Sequence, residues 1–176
     1  MTDPAVLHTL LLFAAAASLM FAAAHDVAVR TVPNRVSLIV AAAGLGLNTL
    51  DGHLAQALFG GALVFAGCWF CWRRGWIGGG DVKLLSACTL LVPPVSVPEL
   101  VLSTAIAGAA LALLYLALEA VLTRLLPGGG AARPTGLLGR VWRVERRRIR
   151  RRLSLPYACA ICAGVLLTLS VSVPLG

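Results

Sequence analysis

Long runs of apolar residues make up most of the chain, and short polar or glycine- and proline-rich segments separate them. A helix of about 20 apolar residues crosses the roughly 30 Å of hydrocarbon in a bilayer, and the first, third, fifth and sixth runs reach about that length. The second run is shorter, and the fourth carries Lys83, Pro93 and Pro94. The predicted spans are Val6 to Ala24, Val36 to Leu50, Leu54 to Trp72, Val82 to Val97, Leu100 to Leu122 and Leu155 to Val173.

The composition agrees with this pattern and sets the protein class. Hydrophobic residues make up 59% of the chain and charged residues 12%, and the mean hydropathy is +0.90. These values are typical of an integral membrane protein rather than a soluble domain. We therefore expect an all-α bundle of about six transmembrane helices, forming a single transmembrane domain over residues 1–176.

The basic residues predict the orientation of this bundle. Of the 15 Lys and Arg residues, 14 fall in the segments after spans one, three and five. Lys83 lies at the start of span four, next to the second of these segments, and the other connecting segments have none. Cytoplasmic loops of membrane proteins collect Lys and Arg, so these three segments are predicted to be cytoplasmic. With six spans, both termini then lie outside. The net charge of +8 is thus explained by membrane orientation.

An arginine-rich insert at about residues 125–154 contains nine of these basic residues, including the stretch RVERRRIRRR, and Arg124 directly precedes it. Basic tracts beside membrane spans commonly bind anionic lipid headgroups. Nucleic-acid binding is disfavoured, because this stretch lacks the interleaved aromatic residues on which bases stack. We therefore expect membrane lipids, and no nucleic acid, as partners of the insert.

Two CxxC pairs, Cys68 with Cys71 and Cys159 with Cys162, would suggest zinc in a soluble chain. Both pairs lie inside predicted spans, where thiolates would be desolvated and no nearby histidine completes a ligand set. We interpret these cysteines as packing residues and expect no metal. A structural role is also expected for His25.

Two acidic residues are predicted to lie at the same depth in the membrane. Span one reaches Asp26 at its cytoplasmic end, and span four begins at Asp81. Ionisable residues within spans are costly and are functional candidates. The alternative is that each acid reaches the interface or pairs with Arg30 or Arg74. The segment 78–80 is all glycine, which leaves the backbone beside Asp81 open to an extended peptide. A phosphate-binding loop is excluded because its lysine is missing.

Three stretches together resemble the type IV prepilin peptidases, which belong to the GxGD intramembrane aspartyl proteases. The chain looks most like the short, peptidase-only form associated with Tad/Flp pilus systems, and presenilin-like proteases are the less similar branch. The resemblance covers essentially the whole chain apart from the insert. The stretches are HDVAVRTVPNRVSL with Asp26, Pro33 and Asn34, GGGDVKLL with Gly78, Gly80, Asp81 and Lys83, and LPYACAICAG with Pro156 and Tyr157.

This resemblance implies that Asp26 and Asp81 are catalytic and that the other named residues support them or bind substrate. The implied substrate is a pilin precursor with a short basic leader and a hydrophobic helix, cut at their junction at the cytoplasmic face of the bacterial inner membrane. No metal or organic cofactor is implied. Longer family members have a cysteine tetrad and N-methyltransferase activity, for which the segment between spans one and two is too short.

Two other functions are compatible with paired acids in a membrane protein. A transporter or proton-coupled channel could use both aspartates as carriers, although carriers usually place their site near the midplane on broken helices. A non-catalytic pilus assembly factor would retain the fold without the reaction. Leader removal from a prepilin distinguishes both from a peptidase.

Overall fold

The computed structural model describes residues 3–125 and 155–172, and these residues form helices and no strands. The side chains of Glu119 and of residues 122–125 are outside this description, as is nearly all of the arginine-rich insert with its predicted lipid contacts. The helices are α1 (Pro4–Val29), α2 (Asn34–Leu50), α3 (Leu54–Arg73), α4 (Gly79–Cys88), a 3-10 turn (Pro94–Ser96), α5 (Val97–Leu125) and α6 (Tyr157–Ser172).

Three helical segments are long and apolar enough to cross a membrane, and α6 is a shorter apolar helix. The three segments are Pro4–Val29, Leu54–Arg73 and Pro94–Leu118. Large apolar side chains on them, such as Phe13, Phe59 and Leu113, are mostly exposed. Exposing such side chains is costly in water but not in lipid. Their exposure on helices of this length therefore indicates a helical membrane protein.

The predicted fourth span, Val82 to Val97, differs most from the structure. Its helix, α4, has 10 residues and ends at Cys88, which corresponds to about 15 Å and half of the hydrocarbon thickness. Pro93 and Pro94 follow, and they cannot donate backbone hydrogen bonds to a continuing helix. The residues between, 89–92, are all buried. Protein rather than lipid therefore covers this non-helical backbone, as a membrane protein requires.

Local signals explain where α1 and α2 begin and end. Asp3 caps α1 by accepting a hydrogen bond from the Ala5 amide at 3.1 Å, and Pro4 occupies the first turn, where no intrahelical donor is needed. At the other end, Arg30 adopts a left-handed conformation with φ 62°. This stops α1, and the extended Pro33 then starts α2.

The core of the described bundle lies where α4 meets α2 and α6. Leu84, Val40 and Ile161 are fully buried there. The main packing partners are α1 with α2 and α6, α4 with α2, α3 and α6, and α5 with α6. The first turns of α2, α4 and α6 thereby meet the last turn of α1 at one end of the bundle, which we call the Asp26 end.

At the opposite end, which we call the His8 end, the start of α1 meets the end of α2 around a second cavity. His8, Asp51, His53 and Pro94 line it. The alternation of helix ends agrees with the alternation of basic and non-basic loops in the sequence.

Close packing between α2 and the segment after α4 depends on Gly44. A Cβ at Gly44 would lie 2.5 Å from the carbonyl oxygen of Leu90. One turn further along, the buried Asn48 donates hydrogen bonds to the Gly44 oxygen at 2.9 Å and the Leu90 oxygen at 2.7 Å. Asn48 thus satisfies a carbonyl that the end of α4 leaves without a helical partner.

Replacing Gly44 by Ala should destabilise the protein by roughly 1–3 kcal/mol, because backbone atoms must move to admit the methyl group. The matched control is Gly67→Ala on α3, where an added Cβ meets nothing within 4 Å. That change should be neutral or stabilising by up to about 1 kcal/mol. Unfolding midpoints in detergent measure both effects. Equal midpoints for the two variants would contradict the close packing of α2 on Leu90.

Candidate active site

A cavity of about 780 Å³ at the Asp26 end contains both sequence-predicted aspartates. Its walls come from the end of α1, the loop before α4, one face of α5 and the start of α6. The residues that line it are Asp26, Arg30, Thr31, Val32, Asn34, Trp76, Ile77, Gly78, Gly79, Gly80, Asp81, Gly108, Ala112, Leu155 and Tyr157.

Asp26 lies in the last turn of α1, and only 5% of its surface is exposed. Its Oδ2 accepts a hydrogen bond from the backbone amide of Ala158 at 3.1 Å. Ala158 is the second residue of α6, so this amide is one of the donors that a helix start leaves without an internal partner. Asp26 therefore acts as an N-terminal cap for a helix 132 positions away in sequence.

Asp81 lies in the first turn of α4 and is partly buried. Its backbone amide donates to the Gly78 carbonyl at 3.1 Å, and its side chain folds back toward the same glycine. A Cβ at Gly78 would lie 2.8 Å from Asp81 Oδ2. The glycine therefore leaves room for the carboxyl group in its observed position.

The two carboxyl groups are close enough to interact electrostatically. Because Asp26 comes from α1 and Asp81 from α4, the fold, rather than proximity in sequence, creates the pair. Like charges in a partly desolvated site favour a state in which the pair holds one proton. A protonated carboxyl next to a carboxylate provides an acid and a base in one cavity.

The other glycines of the loop allow close packing of its neighbours. A Cβ at Gly80 would lie 3.2 Å from Val32 Cβ, and one at Gly79 would lie 3.2 Å from Trp72 Nε1. Gly80 thus lets the start of α4 approach the loop between α1 and α2. Gly79 and Gly80 therefore face Trp72 and Val32, whereas Gly78 faces the carboxyl group of Asp81.

The remaining residues named from the sequence divide into two groups. Asn34 and Tyr157 line the cavity, whereas Lys83, Pro33 and Pro156 do not. Lys83 Nζ donates to Asn34 Oδ1 at 3.1 Å, which ties the first turn of α4 to the first turn of α2. Pro33 precedes α2, and Pro156 is fully buried just before α6. These three residues therefore position helix ends around the cavity.

Arg30, which the sequence analysis mentioned only as a possible partner of Asp26, forms part of the cavity wall. Its guanidinium donates to the Tyr115 hydroxyl at 3.2 Å and lies 5.7 Å from the centre of that ring. A left-handed conformation is costly for a residue other than glycine and often marks a functional position. No local sequence pattern identifies Tyr115 as its partner, because 85 positions separate them.

The histidine and the cysteines near the site have structural contacts. His25 Nδ1 donates to the carbonyl of Thr31 at 2.7 Å, which holds the loop after α1. All five cysteines are free thiols, and Cys159 Sγ donates to the Ala23 carbonyl at 3.6 Å. Within residues 3–125 and 155–172, no group of three or more potential ligand side chains is arranged to hold a metal ion.

The model of the type IV leader peptidase family matches residues 13–113. This is more than half of the 176-residue chain, so the protein belongs to that family, in agreement with the resemblance seen in the sequence. With its apolar helices, it is a membrane peptidase. The match includes Asp26 and Asp81 but ends before α6. Comparisons with curated proteins and with solved structures gave no significant match.

Replacing Gly78 by Ala should lower the rate of peptide cleavage strongly and change the unfolding midpoint little. The added methyl group forces the Asp81 carboxyl to rotate away, and a displacement of about 1 Å at a reacting group costs on the order of 10²-fold in rate. Gly79→Ala is the control, since its Cβ would approach only Trp72. Cleavage rates and unfolding midpoints are measured for both. Equal rates for the two variants would show that the position of Asp81 is not critical.

Proposed function

We propose that this protein is an aspartyl endopeptidase that removes the short basic leader from type IV prepilins, most closely the Flp type. The observation that carries this proposal is the cavity shared by Asp26 and Asp81, which come from helices far apart in the sequence. Family membership supports the reaction class, namely peptide hydrolysis. The aspartyl mechanism and the pilin substrate are the parts of the proposal that go beyond family membership.

The proposed reaction uses the two carboxyl groups as one unit. One carboxylate takes a proton from water as that water attacks the scissile carbonyl carbon, while the protonated carboxyl donates a hydrogen bond to the carbonyl oxygen. The resulting hydrated intermediate collapses when a proton reaches the leaving amine. Gly79 and Gly80 belong to α4 and pack against other residues, whereas Gly78 is exposed and extended beside Asp81 and is suited to contact an extended substrate segment.

We further propose that the Asp26 end faces the cytoplasm of the bacterial inner membrane. Arg30, Arg35, Arg73, Arg74 and Lys83 lie at or next to helix ends around this cavity, and Lys and Arg collect in cytoplasmic loops. At the His8 end, the connection between α2 and α3, residues 51–53, has neither. A basic leader in the cytoplasm would then reach the aspartates without crossing the membrane.

N-methyltransferase activity is not part of this proposal. The connection between α1 and α2 comprises only residues 30–33, and the cysteine tetrad of longer family members has no place in it. Processed pilin should therefore carry an unmodified N-terminus when this protein alone is present. Mass spectrometry of the product, made by the purified protein with a methyl donor added, tests this directly.

Asp26→Asn and Asp81→Asn should each reduce prepilin cleavage by roughly 10²-fold or more, because Asn cannot exchange the proton. Asn retains an oxygen that can accept the Ala158 hydrogen bond, so the α1–α6 contact should survive, which makes Asn a better test than Ala. The double variant should be no worse than either single one, since both dismantle the same unit. Leader removal from a co-expressed prepilin is scored by gel mobility with matched enzyme levels.

The matched controls for these substitutions are Asp51→Asn, beside the cavity at the His8 end, and Glu99→Gln, at the start of α5. Both should process prepilin normally, because they lie away from the Asp26 end. Near-normal processing by either Asp26 or Asp81 variant would reject the aspartyl mechanism. A transporter or a non-catalytic assembly factor would then have to be considered again.

Topology can be measured independently of activity. Reporters fused at Thr49, after Val97 and at the C-terminus should give the signal of an exported reporter. Reporters fused at Arg74 and Arg140 should give the signal of a cytoplasmic reporter. The reason is that connecting segments with and without Lys and Arg alternate along the chain, and cytoplasmic loops collect these residues. An exported reporter at Arg74 would place the aspartates on the wrong side for a cytoplasmic leader.

A further inference from the structure

The described bundle is open between α3 and α5. α3 packs mainly on α4, and α5 mainly on α6, whereas α3 and α5 are not among the helix pairs that pack extensively in the described residues. Both are apolar helices of membrane-spanning length. We call the space between these two helices in the described residues the lateral cleft.

A contact between α3 and α5 bounds the lateral cleft at the His8 end. Near the His8 end, Gly60 on α3 lets Val97 on α5 approach, because an added Cβ would lie 3.5 Å from Val97 Cγ2. Two turns further along α3, a Cβ at Gly67 would meet nothing within 4 Å. The two helices thus contact each other near the His8 end, whereas the space next to Gly67 is open.

The α5 side of the cleft is continuous along the helix. Val97 lines a groove shared with α3 at the His8 end, and Gly108 lines the cavity that contains the aspartates. Val101 and Ala105 occupy the intervening turns on the same face of α5, and both are exposed. From residue 97 to residue 108 this face extends over about 16 Å.

The chemistry of the cleft suits an apolar helix. Gly60 and Leu63 on α3 and Val97 on α5 line its groove at the His8 end. Helical spacing places Gly67, Val101 and Ala105 further along the same faces, so the residues of both faces are small or apolar. Helices in lipid associate where small residues permit close backbone approach, because hydrophobic burial gives no advantage there. An apolar helix seated here would begin beside the aspartate cavity, because Gly108 on the same face of α5 lines that cavity.

Resting on the proposed function, we propose that the lateral cleft receives the hydrophobic helix of the prepilin. The helix lies between α3 and α5, and its N-terminal end reaches the Asp26 end. The junction between leader and helix then lies in the cavity of Asp26 and Asp81, so the cleft positions the bond to be cut. The substrate enters sideways from the lipid and needs no channel through the protein.

Photocrosslinking in membranes tests which molecule occupies the cleft. A benzoylphenylalanine is placed at Leu63 or at Val101 in an Asp81→Asn background, with the prepilin co-expressed. Both positions should crosslink to the prepilin, and the same probe at Phe13, exposed on α1, should not. Crosslinks at Leu63 and Val101 to lipid alone, or to a second copy of this chain, would overturn the proposal.

A steric block tests whether occupancy of the cleft is needed for cleavage. Ala105→Trp fills the cleft, whereas Ala110→Trp adds the same bulk at an exposed position about 140° around α5. Ala105→Trp should slow processing of the prepilin by about tenfold or more, through loss of the binding that positions the scissile bond. Ala110→Trp should process it like the unaltered protein. Equal rates for the two variants would overturn the proposal.

The unaltered protein separates failure of this inference from failure of the proposed function. If it cleaves the prepilin and Ala105→Trp cleaves equally well, only the cleft is excluded. If the unaltered protein removes no leader, the prepilin peptidase function itself is rejected, and the cleft loses its proposed occupant. Far-UV circular dichroism and unfolding midpoints of both Trp variants confirm that a slow rate does not reflect misfolding.

Discussion

The hydrogen bond from the Ala158 amide to Asp26 connects the first and last described helices at the point where chemistry is proposed. In lipid, a backbone amide without a partner costs several kcal/mol, and the first turn of α6 would have one here. The carboxylate supplies the missing acceptor and is itself stabilised at the positive end of a helix dipole. One contact thereby stabilises α6, orients Asp26 and places α1 beside the start of α6. Of the remaining walls of the cavity, α5 packs mainly against α6, and α4 packs against α2, α3 and α6.

A charged residue in this position has two demands to satisfy, because it must cap a helix and remain available to its partner. Asp26 uses Oδ2 for the Ala158 amide and still lines the cavity that contains Asp81. Asp81 has a different arrangement, in which a glycine makes room for its carboxyl group. The two acids therefore have unlike surroundings, one almost fully buried and the other partly open. Such asymmetry is what a pair needs if its members are to take different roles.

Much of this arrangement could be predicted from the sequence, and the exceptions have clear physical reasons. The lengths of the apolar runs and the distribution of Lys and Arg predicted that Asp26 and Asp81 lie at the same end of the bundle. These two signals depend only on local composition and on the thickness of the bilayer, so they can be read from the sequence. The shortness of α4 was missed because its continuation, residues 89–92, is as apolar as a span, although it is buried by protein. The partnership of Arg30 with Tyr115 and of Asp26 with Ala158 depends on how distant helices pack, which periodicity does not specify. For the same reason, the hydrogen bond from Asn48 to the Leu90 carbonyl could not be predicted from the sequence.

The capping of α6 by Asp26 also has a consequence for biosynthesis. A ribosome makes α1 first and α6 last among the described helices, and domains assemble as their parts emerge. Until Ala158 and Tyr157 have entered the membrane, the carboxylate of Asp26 lacks the amide that orients it, and the cavity lacks one wall. An unfinished chain thus holds both aspartates without the complete site around them. Assembly of the cavity is coupled in this way to the synthesis and membrane insertion of α6, which supplies both the amide and the missing wall.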